Sequence, residues 1–527
     1  MTSLEVKSLR RGVLLASIGL CLALSACSGG GSGGGASLGS TAASPALPAA
    51  TQAPTPTSAA VTSSGTAASG SAALLQPPAG LWLNGDFHVH SEHSGDATTL
   101  GDDITTVIAC AQAAGLDFTV ISDHRCSDCL TDPQFTGART PLVLIPGEEW
   151  GQPGHAGIHG LTRAPVSDTQ DETQGPAVAI QKIQAVVDDV HSMGGIFIIN
   201  HPMDSSVPWL WPVDRFDGME AWNQSWAFRS SDDMTPAMAQ AWIASHGTQP
   251  VPEFFTALAV TGGGQNLQRL ALYEAHLSSG RHIAAMGGGD SHYLFLPGQP
   301  TTRVFAAART MPAILDAVRH SRTQVLRSPA APDLEFTADR YGTGAFETIL
   351  GDSIPLGLAP TFKVHVKGAQ DGKFDIVRNG TVLRTVPVAS NDFVFTFQDQ
   401  PTVPTWYRVN LWEKLDVSTS DEQDLRTCVL GSQSVPWLSL LTSGPLGGLL
   451  GGQVATFAAQ AQQLLDTGGP AAVWLIMHGG SLGVTQSSVG TRYPRYILPD
   501  NVSKIMNTAI QDQDYCASVL TSPIWVE

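Results

Sequence analysis

Between Leu81 and about Arg327 short apolar runs alternate with longer stretches in which apolar residues recur every three or four positions. Runs of the first kind read as strands and stretches of the second as amphipathic helices. Their alternation predicts parallel strands joined by crossover helices, an α/β class. The strands fall at 86–90 (DFHVH), 118–124 (FTVISDH), 142–147 (LVLIPG), 195–201 (GIFIINH), 218–223 (GMEAWN), 283–289 (IAAMGGG) and 302–308 (TRVFAAA). Helices are predicted over Asp102–Ala114, Val178–Ser192, Gln265–Ser279 and Met311–Ser321. Seven strands suit a (β/α)7 barrel, whose chemistry would sit at the C-terminal strand ends.

After Pro329 the period shortens to two, as in Phe362-Lys363-Val364-His365-Val366. In FDIVRNGTVLRTV the Asn379-Gly380 pair fits a tight primed hairpin turn. The runs Phe393–Phe397 and Trp406–Trp412 continue the alternation, predicting a small antiparallel β-sandwich. Residues 430–510 turn Gly- and Leu-rich, with a helix expected at Val454–Leu465, and read as an insertion before a last strand at 521–526. The expected body is therefore a barrel over 79–328 and a sandwich over 329–527, with no internal repeat.

The residues before the body carry no such pattern. Arg10 and Arg11 precede an apolar run from Gly12 to Ala26, short for a bilayer span, which reads as an export signal. Its end, Leu24-Ser25-Ala26-Cys27, resembles a bacterial lipobox, which implies that Cys27 is lipidated and begins the mature chain. Residues 28–78 are mostly Gly, Ser, Ala, Thr and Pro with no charge, a flexible linker that would hold the body roughly 40 Å from the membrane. The expected location is thus extracytoplasmic, lipid-anchored to a bacterial envelope membrane.

Composition narrows the partners. The chain has 527 residues and 43% hydrophobic content, enough for more than one folded unit. Without Glu5, Lys7, Arg10 and Arg11 of the leader it keeps 25 basic and 45 acidic residues, a net charge of −20. Duplex nucleic acid is therefore not an expected partner, since it requires a basic face. Small anions could bind only where bound metal reverses the local field. Five cysteines remain, Cys110, Cys126, Cys129, Cys428 and Cys516; the last two flank one segment and can pair, while Cys126-x-x-Cys129 fits a small-loop disulfide, a structural thiol pair or half a zinc site.

The candidate chemistry lies in GDFHVHSEHSGD. Side chains two apart on a strand share a face, so His88 and His90 point together, as do Asp290 and His292 in GDSH. Other metal-capable groups follow other strands: Asp96, Asp123 and His124, Glu148 and Glu149, His155 and His159, and His201. Nitrogen and carboxylate donors together suit zinc, manganese or iron. Twelve of the fifteen histidines precede residue 293.

This ordered series, HxH, D, DH, GEE, GH, NHP, DSH, resembles the PHP superfamily, named for polymerase and histidinol phosphatase, and especially its exported branch with a carbaryl-hydrolase relative. The resemblance covers about 81–327. It implies a distorted PHP barrel and two or three divalent metal ions. His88, His90, Glu149 and Asp290 would bind the first, with Glu149 bridging to a second held by His155 and His201. Asp96, His124 and His292 would form the third metal's shell. Glu92 or His93 can substitute for Asp96, His159 for His155, and Glu148 competes with Glu149, although the family's G-x-E spacing selects Glu149. Catalysis would fall to Glu149, Asp290 and His201.

Arg125, Arg303 and Asn223 are the candidate substrate contacts, the guanidinium groups because they can bond two phosphate oxygens at once. Asp123 reads as an acceptor that orients a ligand. The tryptophans at 209, 211, 222 and 226 suit either a wall of the site or the core. His191, His246, His276, His282, His320, His365 and His478 read as surface or packed residues. Adjacent divalent ions lower the pKa of bound water towards neutrality and so supply a nucleophile. No GxxxxGK[ST] loop or GxSxG elbow is present. The expectation is a metal-dependent phosphoesterase acting on a small phosphomonoester or phosphodiester. A carbamate or carboxylic-ester hydrolase and a non-catalytic, metal-loaded envelope module are the alternatives.

Overall fold

The computed structural model describes residues 78–94, 103–151, 154–169, 175–204, 207–209, 211–223, 265–291, 297–414, 511–512 and 515–527. The leader with Cys27, the linker, Asp96, His292, Cys428 and the 430–510 insertion lie outside these residues. Two compact units divide at Leu74, and the account below concerns Leu75–Glu527 alone.

The first part is a mixed α/β domain. Its strands are β1 (Leu81–Asp86), β2 (Phe118–Ile121), β3 (Val143–Trp150), β4 (Ala156–His159), β5 (Ile196–Ile199), β6 (Gly218–Asn223), β7 (Ala284–Gly288), β8 (Thr301–Ala306) and β9 (Thr323–Leu326). Pairings β1/β2, β2/β3, β5/β6 and β6/β7 are parallel. The helices Ile104–Ala113, Pro176–Ser192, Gln265–Ser278 and Met311–Arg319 begin and end within two residues of the predicted bounds. Asp103 explains one of these starts, because its carboxylate accepts from the Thr106 N–H at 2.7 Å and so caps a free helical donor.

The expectation of parallel strands throughout is corrected twice. The chain re-enters the sheet as β4, which is antiparallel to both β3 and β5. Too few residues separate β3 from β4 for the crossover that a parallel pair needs. The predicted strand at 302–308 is present as β8, but it runs antiparallel to β1. Beyond the strand ends, a parallel backbone bridge joins Val89 to Ser291, and another joins His124 to Glu149. The segments following β1 and β7, and those following β2 and within β3, are thereby held side by side.

The second part is antiparallel. Strands β10 (Asp333–Asp339), β12 (Thr361–Lys367) and β15 (Asp392–Gln398) form one sheet, with the short β11 (Ser353–Ile354) elsewhere. β13 (Lys373–Arg378), β14 (Thr381–Pro387), β16 (Thr405–Lys414), β17 (Gln511–Asp512), β18 (Tyr515–Thr521) and β19 (Ile524–Val526) belong to the other. Between them lie Phe336, Phe362, Val364, Phe374, Ile376 and Val409, all buried. The β13–β14 turn places Asn379 at φ 47° and Gly380 at φ 75°, the left-handed pair that a primed turn requires.

The two parts share a sheet. β18 pairs with β9 on one side and β16 on the other, so backbone hydrogen bonds run from the first part into the second. Leu520 sits in the core that also holds Trp150, Phe197 and Trp406. No helix among the described residues is long and apolar enough to cross a membrane. Leu520→Ala should lower unfolding stability by about 2–5 kcal/mol through the cavity it leaves. Urea unfolding checks this, and a loss below about 1 kcal/mol would show that β18 is not built into the core.

Candidate metal centre

The apolar strands end in polar residues, and those ends converge. His88 and His90 follow β1, His124 follows β2, Glu149 lies near the end of β3, His155 precedes β4, His201 follows β5 and Asp290 follows β7. His88, His90, Glu149 and Asp290 are buried and offer donor atoms within 4.8 Å of one another; His124, Glu149 and His155 do the same. These are two donor groups with Glu149 in common.

Glu149 has 0% exposure. Its Oε1 lies 3.0 Å from His88 Nε2, 2.8 Å from His201 Nε2 and 3.2 Å from His155 Nδ1. Its Oε2 lies 2.7 Å from His124 Nδ1 and 3.4 Å from His90 Nε2. Asp290 Oδ1 stands 3.4 Å and 3.3 Å from the Nε2 atoms of His88 and His90. Burial alone would raise the Glu149 pKa, but His88, His155 and His124 outweigh it and hold the carboxyl well below its ordinary range. Burial likewise works against protonation of His88, and Glu149, Asp290 and Glu220 reverse the balance, so its pKa lies well above the ordinary value. The cluster therefore attracts positive charge.

Outer partners fix how the imidazoles face inward. Ser94 Oγ donates to Asp123 at 2.8 Å and so accepts from His90 Nδ1, also at 2.8 Å. Glu220 Oε1 accepts from His88 Nδ1 at 2.8 Å. With both Nδ1 atoms acting as donors, neutral rings would turn Nε2 lone pairs towards each other across 3.1 Å and towards two carboxylates. Facing lone pairs and carboxylates repel unless a proton or a cation lies among them, and a nitrogen and oxygen donor set of this kind fits a divalent metal ion.

The backbone is adapted to this convergence. His201 and Asp290 have φ of 22° and 48°, values that side-chain-bearing residues rarely adopt and that recur where function imposes strain. The glycines before Asp290 have a steric reason: a Cβ on Gly288 would collide with the Glu220 carboxylate, and one on Gly289 with that of Asp86. Asp86 accepts from the N–H groups of His88, Gly289 and Gly298 at 2.9, 3.1 and 2.7 Å, which pins both ends of the segment that carries Asp290. Burial pushes the Asp86 carboxyl up to about 7 against those three hydrogen bonds.

Several of the alternative residues can be placed. His155, not His159, reaches Glu149; His159 is buried with its ring 5.5 Å from that of Phe87 and neither nitrogen hydrogen-bonded. Glu148 lies on the opposite face of β3, where burial, with Asp168, raises its carboxyl to about 8 and Arg125 pulls it down. His93 pairs with Asp132 at 2.8 Å. His124, expected to serve a third metal, shares Glu149 with His155. Arg125 is exposed beside the cluster, and its N–H donates to the Glu149 carbonyl.

Two substrate candidates are placed otherwise than expected. Arg303 lies on β8, paired with Asp333 at 2.7 Å and stacked over Trp82, because side chains of that strand end face the second part rather than the cluster. Asn223 is buried and donates to Glu220 Oε2 at 2.9 Å, inside the supporting network. Trp209, Trp211 and Trp222 belong to the core. Cys126 and Cys129 are thiols, which burial pushes up to about 11 and about 12, so the CxxC forms neither a disulfide nor a reactive thiolate.

Glu220, Ser94 and Asn200 were missed by sequence reasoning. Glu220 also accepts from the His201 N–H at 2.7 Å, and Asn200 Nδ2 donates to Glu149 Oε1 at 3.2 Å. An acidic residue within the apolar run GMEAWN was the available signal, since a buried strand acid needs partners.

No family model and no curated protein matches the chain. Among solved structures, a two-domain protein from Bacteroides vulgatus ATCC 8482, described as containing a predicted PHP-like metal-dependent phosphoesterase, is similar at 16% identity, covering 64% of this chain and 93% of its own, with a TM-score of 0.30. PsfC from Pseudomonas syringae PB-5123 aligns at 14% identity over 47% of this chain and 92% of its own, with a TM-score of 0.27.

Two outcomes follow from the geometry. Glu220→Ala, which frees His88 Nδ1, should weaken metal affinity about 10–100-fold in chelator competition; unchanged affinity would show that Glu220 does not orient the ligand. Burial, aided by His88, lowers the pKa of His159 from 6.5 to about 3, so below pH 6.5 the unfolded chain takes up a proton that the native chain refuses. Stability is then lost as pH falls from about 6.5 towards 3, by up to about 1.4 kcal/mol per pH unit. His159→Leu should gain on the wild type in thermal melts as pH falls, and parallel curves would contradict this.

Proposed function

We propose that the chain is an exported metal-dependent hydrolase of the PHP type that cleaves a small phosphomonoester or phosphodiester. The observation that carries this reading is Glu149, one buried carboxylate shared by two donor groups. His88, His90 and Asp290 with Glu149 would hold one divalent ion, and His124, His155 and His201 around the same carboxylate a second. When bound, such ions activate water as a nucleophile and neutralise charge on the oxygens of the substrate. The identity of the metal follows from the donor set only as far as zinc, manganese or iron.

The residues contribute in distinct ways. Glu149 is common to the two donor groups, and Asp290 supplies a second carboxylate beside the Nε2 atoms of His88 and His90. His201 is anchored at both ends, by Glu149 through its ring and by Glu220 through its N–H. Arg125 is the guanidinium beside the cluster that could grip a phosphate oxygen. With Asp96 and His292 a third ion could be held. The lipobox at Cys27 and the uncharged linker support a lipid-anchored position in the cell envelope.

Arg303 is committed to Asp333, so a phosphate meets one guanidinium candidate instead of two. This favours the carbamate or carboxylic-ester reading as the second hypothesis. Elemental analysis of the purified chain should find two or three divalent ions. The chain should hydrolyse an aryl phosphomonoester or phosphodiester, and Glu149→Ala should lose more than about a hundredfold in rate, beyond the cost of removing an outer partner. Turnover of the carboxylic ester alone would move the reading to the second bond. Bound metal with no turnover of any substrate would make the chain a metal-loaded binding module.

A further inference from the structure

The two donor groups share Glu149 on the inside. They are also joined from the outside, by two buried side chains that each hold one residue of either group. Ser94 Oγ, in a residue with 0% exposure, accepts from His90 Nδ1 at 2.8 Å and from the His124 N–H at 3.1 Å. The Glu220 carboxylate, also buried, accepts from His88 Nδ1 at 2.8 Å and from the His201 N–H at 2.7 Å. The rings pair in the same way: the centroids of His90 and His124 lie 4.5 Å apart, and those of His88 and His201 5.6 Å. In each pair one imidazole is turned by its ring nitrogen and the other is placed by its backbone.

Both joining groups are themselves fixed. Asp123 accepts from Ser94 Oγ at 2.8 Å, and from the N–H and hydroxyl of Ser91 at 2.6 and 2.7 Å, which sets the turn that carries Ser94. In β6 a bulge against β7 falls between Glu220 and Trp222, with Ala221 as the extra residue. Regular alternation would send side chains three apart to opposite faces. The bulge instead brings Asn223 round to donate to Glu220 Oε2 at 2.9 Å. Removing either joining group would therefore strip an acceptor from two buried donors, one on a residue of each donor group, which is costly at both.

We infer that Ser94 and Glu220 are positioning residues common to both ion positions, so that one substitution at either loosens both ions together; this rests on the two-ion reading above. It is tested on the full chain, freed of metal and titrated with zinc against a chromophoric chelator, which gives stepwise binding constants. Manganese is followed in parallel by electron paramagnetic resonance, which separates a lone bound ion from a coupled pair. The wild type should hold two ions and give the pair signal. Ser94→Ala and Glu220→Ala should each weaken both binding steps about tenfold or more, with no lone-ion signal during the titration. The two variants lie on separate segments, so a folding failure in one leaves the other to decide. His155→Ala, which strips a ligand from one position only, should keep one ion and give the lone-ion signal. If Ser94→Ala or Glu220→Ala weakens one step and leaves the other unchanged, the inference fails while the two-ion reading stands. A wild type that holds fewer than two ions of either metal would overturn that reading and the inference with it.

Discussion

A carboxylate removed from water must have positive charge or hydrogen-bond donors around it. Glu149 has 0% exposure and is met by the imidazoles of His88, His90, His124, His155 and His201. The rest of the first domain can be understood as the scaffold for that contact. Five separate strand ends have to deliver these six side chains to one point, and β3 has to insert its own acid between its neighbours. The backbone bridges His124–Glu149 and Val89–Ser291 hold those ends together beyond the regular strands.

Polar groups behind the histidines complete the scaffold. Asp123, through Ser94, and Glu220 directly set the ring orientations of His90 and His88. Asp86 ties the start of the segment after β1 to both ends of the segment after β7. Two glycines make room for the carboxylates of Asp86 and Glu220. The unfavourable φ values of His201 and Asp290 are held in place by these contacts, consistent with strain concentrated where donor atoms must converge.

Much of this was legible in the sequence, and the physical reasons differ by element. His88 and His90 could be read as a pair because strand alternation is local. The four helices were legible from their periodicity, and the Asn379-Gly380 turn from its dihedral demands. β4 was hidden because AGIH is too short to show a period and its pairing depends on neighbours distant in the chain. The choice of His155 over His159 was equally closed, since both flank one short strand and only tertiary packing turns one ring to Glu149 and the other to Phe87. Arg303 looked available because its partner, Asp333, belongs to another strand of the second part. The sharing of a sheet through β18 could not be read locally, because β18 pairs with β9 and β16, strands far from it in the chain.

The central claim is that Glu149 is a shared ligand between two cations. It is tested most directly by a crystal structure of the purified chain with its native metal, with diffraction recorded on both sides of the metal's absorption edge. The account predicts at least two anomalous peaks, one among His88, His90 and Asp290 and one beside His124 and His155, each within bonding distance of a Glu149 oxygen. A map with no peak at the cluster, or with a single peak that does not touch Glu149, would contradict it.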